Sequence, residues 1–212
     1  QGTHGACVGH AVAIVLQYFD YLENKKVTPI SPRYIYGLAK TMDGIPDVDG
    51  TYPRVAAKIT TDFGSATTKT VPNDISLTKT AYNAILNRKE ADKDAIPHKT
   101  KGYAFVANNT ESIKQAIFQN KLVTVSVPVG NWNNAFVKPP KDNSNLHYIV
   151  LYGFETSGGN TIFYFRNSWG DKWGDKGTGY LTAKDYEGRC FDAMTYLDLP
   201  NEVLQEARNK WK

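Results

Sequence analysis

The sequence predicts an α+β protein of two lobes, a helical one followed by a β-rich one. Two observations lead there. Up to about residue 120 the apolar residues recur at helical spacing, and from there on they fall in short β-branched and aromatic runs set apart by Gly, Asn and Asp. Segregated helices and strands of this kind make an α+β arrangement, with 1–105 expected as the helical lobe and 106–212 as the β lobe. The 212 residues hold no internal repeat and no low-complexity tract.

CVGHAVAIVLQYFDYL (7–22) reads as the first helix, with Val8, Ala11, Val12, Val15, Leu16, Phe19 and Leu22 on one broad apolar face. Ser31-Pro32 reads as an N-cap with proline at the first helical position, opening a helix to about Lys40. MDGIPDVDG (42–50) is a turn-rich loop. Pro53 to Phe63 is a helix stopped by Gly64, and Leu77 to Lys89 another, with a charged, poorly patterned stretch after it. Thr110 caps a helix to about Asn120. Strands are expected at LVTVSVPV (122–129), HYIVLYGFE (147–155), TIFYFRN (161–167), TGYLTA (178–183) and AMTYLDL (193–199), and NEVLQEARNKWK (201–212) reads as a closing helix.

Composition narrows the function classes. A net charge of +4, scattered among nearby acids, does not call for nucleic acid or a membrane surface. The longest uncharged apolar run is Ala11–Leu16, far short of the roughly 20 residues a span needs. The two cysteines, Cys7 and Cys190, allow at most one disulfide, and none if either thiol works chemically.

Cys7 admits three readings at this level. It is a packed thiol, a metal ligand with His4 and His10, or a nucleophile. Zinc asks for four ligands, or three and a water, and no second Cys/His cluster follows; His98 and His147 stand alone, so no metal and no cofactor is expected. A Cys at the first turn of a helix sees the positive end of the dipole, which favours thiolate, and the glycines at 2 and 5 leave room beside the sulfur. A thiolate nucleophile wants an imidazole that takes its proton and later passes it to a leaving amine. His147 opens an apolar strand, and twenty residues on comes RNSWGDKWGDKGTGY (166–180). There Asn167 is able to orient an imidazole and Trp169 to shield the bond from water.

These blocks resemble the papain-like cysteine peptidases. QGTHGAC looks like the family's Gln-Gly-x-Cys-Gly-Ser-Cys-Trp block; LHYIVLYGF resembles its histidine strand; RNSWGDKWGDKGTGY is close to its Asn-Ser-Trp-Gly-x-x-Trp-Gly-x-x-Gly-Tyr block and is the most specific. DGTYPRVAAK (49–58) looks like the Gly-Gly-Tyr-Pro segment of the substrate cleft. The order Cys, His, Asn, with gaps of 140 and 20 residues, fits. The resemblance implies a two-lobe papain-like fold, the β lobe an antiparallel barrel-like sheet, with a cleft between the lobes. It implies Cys7 as nucleophile, His147 as base and then acid, Asn167 as its orienting partner, and the Gln1 amide with the Cys7 N–H as oxyanion donors. It places Gly5, Gly50, Thr51, Tyr52, Leu146, Tyr148 and Trp169 along the substrate, with Gly50 and Thr51 offering backbone to an extended peptide. It also implies a monomer acting on a peptide or protein, an inhibitory propeptide, and a secreted or lytic compartment.

The chain departs from the family at several of these places. His4 stands where the first Cys would be, so the disulfide that Cys anchors is absent; Cys190 has no partner. Val8 replaces the Trp after the nucleophile, Thr51 the second cleft glycine, and Tyr148 the small residue after the base. Tyr148 and Thr51 are both expected to narrow the pocket for the side chain one position before the scissile residue. The family carries about twenty residues ahead of this Gln, so an upstream segment is expected. Two alternatives to peptide hydrolysis keep the fold: a peptide-binding module with weak or no turnover, and transfer of the acyl group to an amine.

Overall fold

The computed structural model describes residues 1–142 and 145–198. They divide into two compact units: the first is Gln1–Tyr103, rejoined by the chain at Tyr196, and the second is Ala104–Thr195. Among the described residues no helix is long and apolar enough to cross a membrane.

The first unit is built of helices. In α1 (Cys7–Asn24) the apolar face is buried from Val8 to Phe19, and the helix ends where Lys25 turns left-handed at φ 57°. The segment α2 (Pro32–Lys40) starts as its sequence predicts: the Ser31 hydroxyl accepts from the Tyr34 N–H and proline takes the first turn. All nine residues of α2 are buried, Arg33 and Lys40 included. With α3 (Pro53–Asp62), α1 and α2 pack as a group.

The single helix expected over 77–89 is two. Short α4 (Lys79–Asn83) stops at Ala84, whose ψ of 127° is extended, and Asn87 at φ 52° turns the chain into α5 (Arg88–Ala95). The charged stretch that showed no pattern is thus itself helical. Only the small residues Ala91 and Ala95 face inward there, too few to give an apolar period. Strand β1 (Gly102–Phe105) and the one-turn α7 (Ala183–Tyr186) were not expected. Both are shorter than the windows in which periodicity is readable.

The second unit holds α6 (Thr110–Asn120) and the sheet strands β2 (Val123–Pro128), β3 (Leu146–Ser157), β4 (Asn160–Arg166), β5 (Thr178–Thr182) and β6 (Phe191–Leu197). The cap of α6 is Asn109, whose side chain accepts from the Ser112 N–H, one residue ahead of the expected Thr110. Strand order is β1-β6-β2-β3-β4-β5, and the β2–β3, β2–β6, β3–β4 and β4–β5 pairs are antiparallel. Chain passes between the units inside β1 and again inside β6. Ile113 and Ile117 of α6 join Val123, Val125, Val127, Ile149, Leu151, Phe163, Phe165 and Leu181 in one core. Strand β2 is buried at all six positions, as a central strand covered on both faces must be. The helix expected over 201–212 lies outside the described residues.

Candidate active site

Cys7 is the first residue of α1. It forms no disulfide with Cys190 and is partly exposed. Ala6 at the N-cap offers no side-chain oxygen and the first turn carries no acid, so no side chain of the helix's own start offsets its positive end. The loop leading in is held tightly. The Gln1 side-chain amide donates to the His4 carbonyl at 2.9 Å, and the His4 ring stacks on Tyr82 with centroids 3.9 Å apart. Val8, in place of the usual Trp, is a core residue.

Gly5 explains how this loop meets the 49–51 segment. A Cβ built on it would lie 2.6 Å from the Gly50 nitrogen and 2.9 Å from the Asp49 Cβ, so only glycine permits the approach. Gly50 itself sits at φ 91°, where a side chain would be strained. Both of its main-chain groups are engaged inward: the N–H donates to the Tyr36 hydroxyl at 3.3 Å and the carbonyl accepts from Lys40 Nζ at 2.9 Å. Gly50 is thereby held at both main-chain groups, its carbonyl keeping a second lone pair. The Thr51 N–H and C=O have no partner among the described residues, and Tyr52 beside it is exposed.

In the second unit the strand period of two decides the fate of neighbouring side chains. His147 pairs with Val127 near the start of β3 and shares a face with Ile149 and Leu151 at the end of the core. Its ring lies 4.9 Å from that of Trp169 and meets the Trp132 ring edge-on at 6.0 Å. Trp173 completes the group, its indole N–H donating to the Trp132 carbonyl at 2.7 Å. Trp132 was not singled out in the sequence. The available signal was a lone Trp in a polar GNWNN loop, where no strand or helix pattern accounts for it.

His147 Nε2 and Asn167 Oδ1 are 2.7 Å apart. Asn167 follows β4 directly, fixed by its own N–H to the Gly177 carbonyl. The Ser168 N–H donates to the same Oδ1 at 2.8 Å. A main-chain N–H has no lone pair to offer, so the atom facing it must be the amide oxygen, and the orientation of Asn167 is fixed. His147 Nε2 must then carry a proton and donate it to Oδ1. Nδ1 is left as the basic nitrogen. Burial pushes the imidazole down from 6.5 to about 4, against the Asn167 hydrogen bond, so the ring is neutral across the neutral pH range.

Tyr148, the next residue of β3, is buried. It points to the face opposite His147, is 2 % exposed, and its hydroxyl is 2.8 Å from Thr124 Oγ1. The polar residues Thr124 and Ser126 on that side of β2 give the phenol a buried partner, which a small pocket residue would not need. Leu146 and Trp169 are exposed by 44 % and 37 %. Cys190 is buried, and desolvation pushes its thiol up to about 12. His4, Cys7 and His10 do not gather as a metal set: among the described residues no group of three His, Cys, Asp or Glu side chains does.

Comparison with known proteins gives one consistent result. The profile described as papain family cysteine protease matches residues 1–196. Chymopapain of Carica papaya is 22 % identical over 193 residues, 89 % of this chain and 51 % of that protein. The chain thus spans about half the length of that relative. Among solved structures, xylellain, a cysteine protease from Xylella fastidiosa, superimposes with a TM-score of 0.77 at 18 % identity, over 93 % of this chain and 81 % of the other. Digestive procathepsin L 3 of Tenebrio molitor larval midgut gives a TM-score of 0.74 at 16 % identity, over 92 % of this chain and 64 % of the other.

Proposed function

Because the chain belongs to the papain family of cysteine proteases, we propose that it hydrolyses peptide bonds through Cys7, His147 and Asn167. The observation that carries this reading is the fixed tautomer of His147. With Nε2–H committed to Asn167, the neutral ring presents Nδ1 as the base a thiol nucleophile requires.

In this reading the Cys7 sulfur attacks the scissile carbonyl carbon while His147 Nδ1 takes the thiol proton. Negative charge develops on the carbonyl oxygen and is met by the Cys7 main-chain N–H and a side-chain N–H of Gln1, the kind of donor whose loss costs on the order of 10²–10³ in kcat. The tetrahedral adduct collapses, and the departing amine takes its proton from the imidazolium. Water then attacks the thioester, delivering its proton to Nδ1, and the carboxylic acid leaves as the thiol is restored. Asn167 keeps the ring in one tautomer through both halves, and Trp169 and Trp132 restrict water at the His147–Asn167 bond. The peptide pairs in extended form with the Thr51 backbone, with Tyr52, Leu146 and Trp169 flanking it. An inhibitory propeptide is part of the proposal, supported by the match to a procathepsin.

The test is mass-spectrometric profiling of a peptide library incubated with the wild type and with Cys7→Ala, with and without an added amine. Hydrolysis products that vanish in Cys7→Ala support the proposal. Products carrying the amine in place of water would reassign the protein to acyl transfer, and no products at all would leave a binding module.

A further inference from the structure

Helix α2 carries two buried cations, one near each end, and each gathers a stretch of irregular chain. Arg33 donates to the carbonyls of Pro72, Ala81, Tyr82 and Ala84. Lys40, 5 % exposed, does the same for the 43–50 loop: its Nζ lies 2.9 Å from Asp43 Oδ2, 2.7 Å from the Ile45 carbonyl, 2.9 Å from that of Val48 and 2.9 Å from that of Gly50. Three N–H donors are shared among four acceptors, so the ammonium is saturated without water. Asp43 closes the loop on itself by accepting from the Ile45 N–H at 3.0 Å. Burial pushes the Asp43 carboxyl up, yet the bonds from Lys40 and Ile45 outweigh it and hold the group below the usual carboxylate range.

The loop so gathered ends on the residue before Thr51. Gly50 is pinned at both main-chain atoms, by Lys40 on the carbonyl and Tyr36 on the N–H, and Gly5 of the nucleophile loop abuts it. The chain has no disulfide among its described residues to do this work, since Cys7 and Cys190 are not bonded to each other. We propose that Lys40 is a positioning residue for substrate binding: its buried ammonium shapes the 43–50 loop so that the Thr51 backbone stays fixed and available to an extended peptide. This rests on the peptidase reading above. Lys40 touches neither substrate nor Cys7; it acts through Gly50.

Arg33 supplies the control, because it is an equally buried cation on the same helix that serves a different loop. The experiment measures kcat and KM on a peptide substrate of four residues before the scissile bond, for the wild type, Lys40→Met and Arg33→Met. It adds the rate of Cys7 alkylation by iodoacetamide and hydrogen exchange over residues 41–52. Lys40→Met should raise KM about tenfold, the equivalent of one lost binding hydrogen bond, with kcat within about threefold. Exchange over the loop should rise and Cys7 alkylation stay unchanged, while Arg33→Met should lower the melting temperature and leave KM as it was. Lys40→Arg, which keeps charge and donors, should recover most of the KM loss. Should Lys40→Met not fold, Asp43→Asn replaces it, with KM expected up about threefold at constant kcat.

An active wild type whose Lys40 or Asp43 variant keeps its KM overturns the role of Lys40 alone. Equal KM changes in the Lys40 and Arg33 variants also overturn it, leaving Lys40 a general stabiliser. A wild type that turns over no peptide overturns the peptidase reading and the substrate role of Lys40 with it.

Discussion

Replacing His147 should change how stability depends on pH, by an amount the structure supplies. In the folded protein, burial lowers the imidazole from 6.5 to about 4. In the unfolded chain it titrates near 6.5. Between these values the unfolded chain binds the proton and the folded one does not, so folding is opposed progressively as pH falls. The contribution is complete above about pH 6.5 and gone by about pH 4. At 1.36 kcal/mol per pH unit it amounts to about 3 kcal/mol. The assay is urea unfolding of Cys7→Ala and of Cys7→Ala/His147→Gln at about pH 7.5 and about pH 4. Removing the thiol takes any effect of the proposed nucleophile out of the comparison. Carboxylates such as Asp20, Asp43 and Asp94, whose hydrogen bonds outweigh their burial and lower them, affect both proteins alike and cancel in the difference. Cys7→Ala should lose about 3 kcal/mol more than the double variant on acidification. An equal loss would refute the reasoning, because His147 would then not be a buried neutral base.

Three further outcomes are expected. Iodoacetamide at mildly acidic pH should label Cys7 at least about a hundredfold faster than Cys190, whose buried thiol is pushed up to about 12; peptide mapping reads the two rates, and equal rates contradict a reactive Cys7. Gly5→Ala should cost about 1–3 kcal/mol, since its Cβ would stand 2.6 Å from a main-chain nitrogen that cannot yield. For a chain of this size that lowers the melting temperature by roughly 3–10 °C, and calorimetry showing no shift would sink the close approach. Tyr148→Phe should cost about 1 kcal/mol through the lost Thr124 bond and leave cleavage preference in a positional-scanning library unchanged; an altered preference would return Tyr148 to the substrate pocket.

Long regular elements were legible in the sequence because each carries a period and a boundary signal. α1 has seven apolar residues on one face, and α2 has the Ser31-Pro32 start. The order of β2 to β6 followed from β-branched and aromatic runs. What could not be read lacks such a signal. The break between α4 and α5 lies in a left-handed Asn87 without a glycine to announce it, and α5 buries only alanines. For the proposed catalytic residues, the order Cys7, His147, Asn167 was legible as a motif. The direction of Tyr148 was not, because period two puts it opposite His147 but does not say which face offers a hydroxyl partner; Thr124, twenty-four residues away, decides that. Lys40 and Trp132 escaped for a related reason. Their roles come from main-chain carbonyls and rings brought together by folding, and a lone Lys at a helix end or a lone Trp in a loop looks ordinary in a string of letters.

In the proposed mechanism the Cys7 sulfur forms an acyl intermediate with the peptide. Its most direct measurement is intact-mass and peptide-map analysis of the full chain quenched in acid during turnover of a peptide ester. A transient mass increment equal to the acyl group is expected, confined to the peptide that contains Cys7, absent from the one that contains Cys190, and lost in His147→Ala. Turnover without any adduct, or an adduct on another residue, would contradict it.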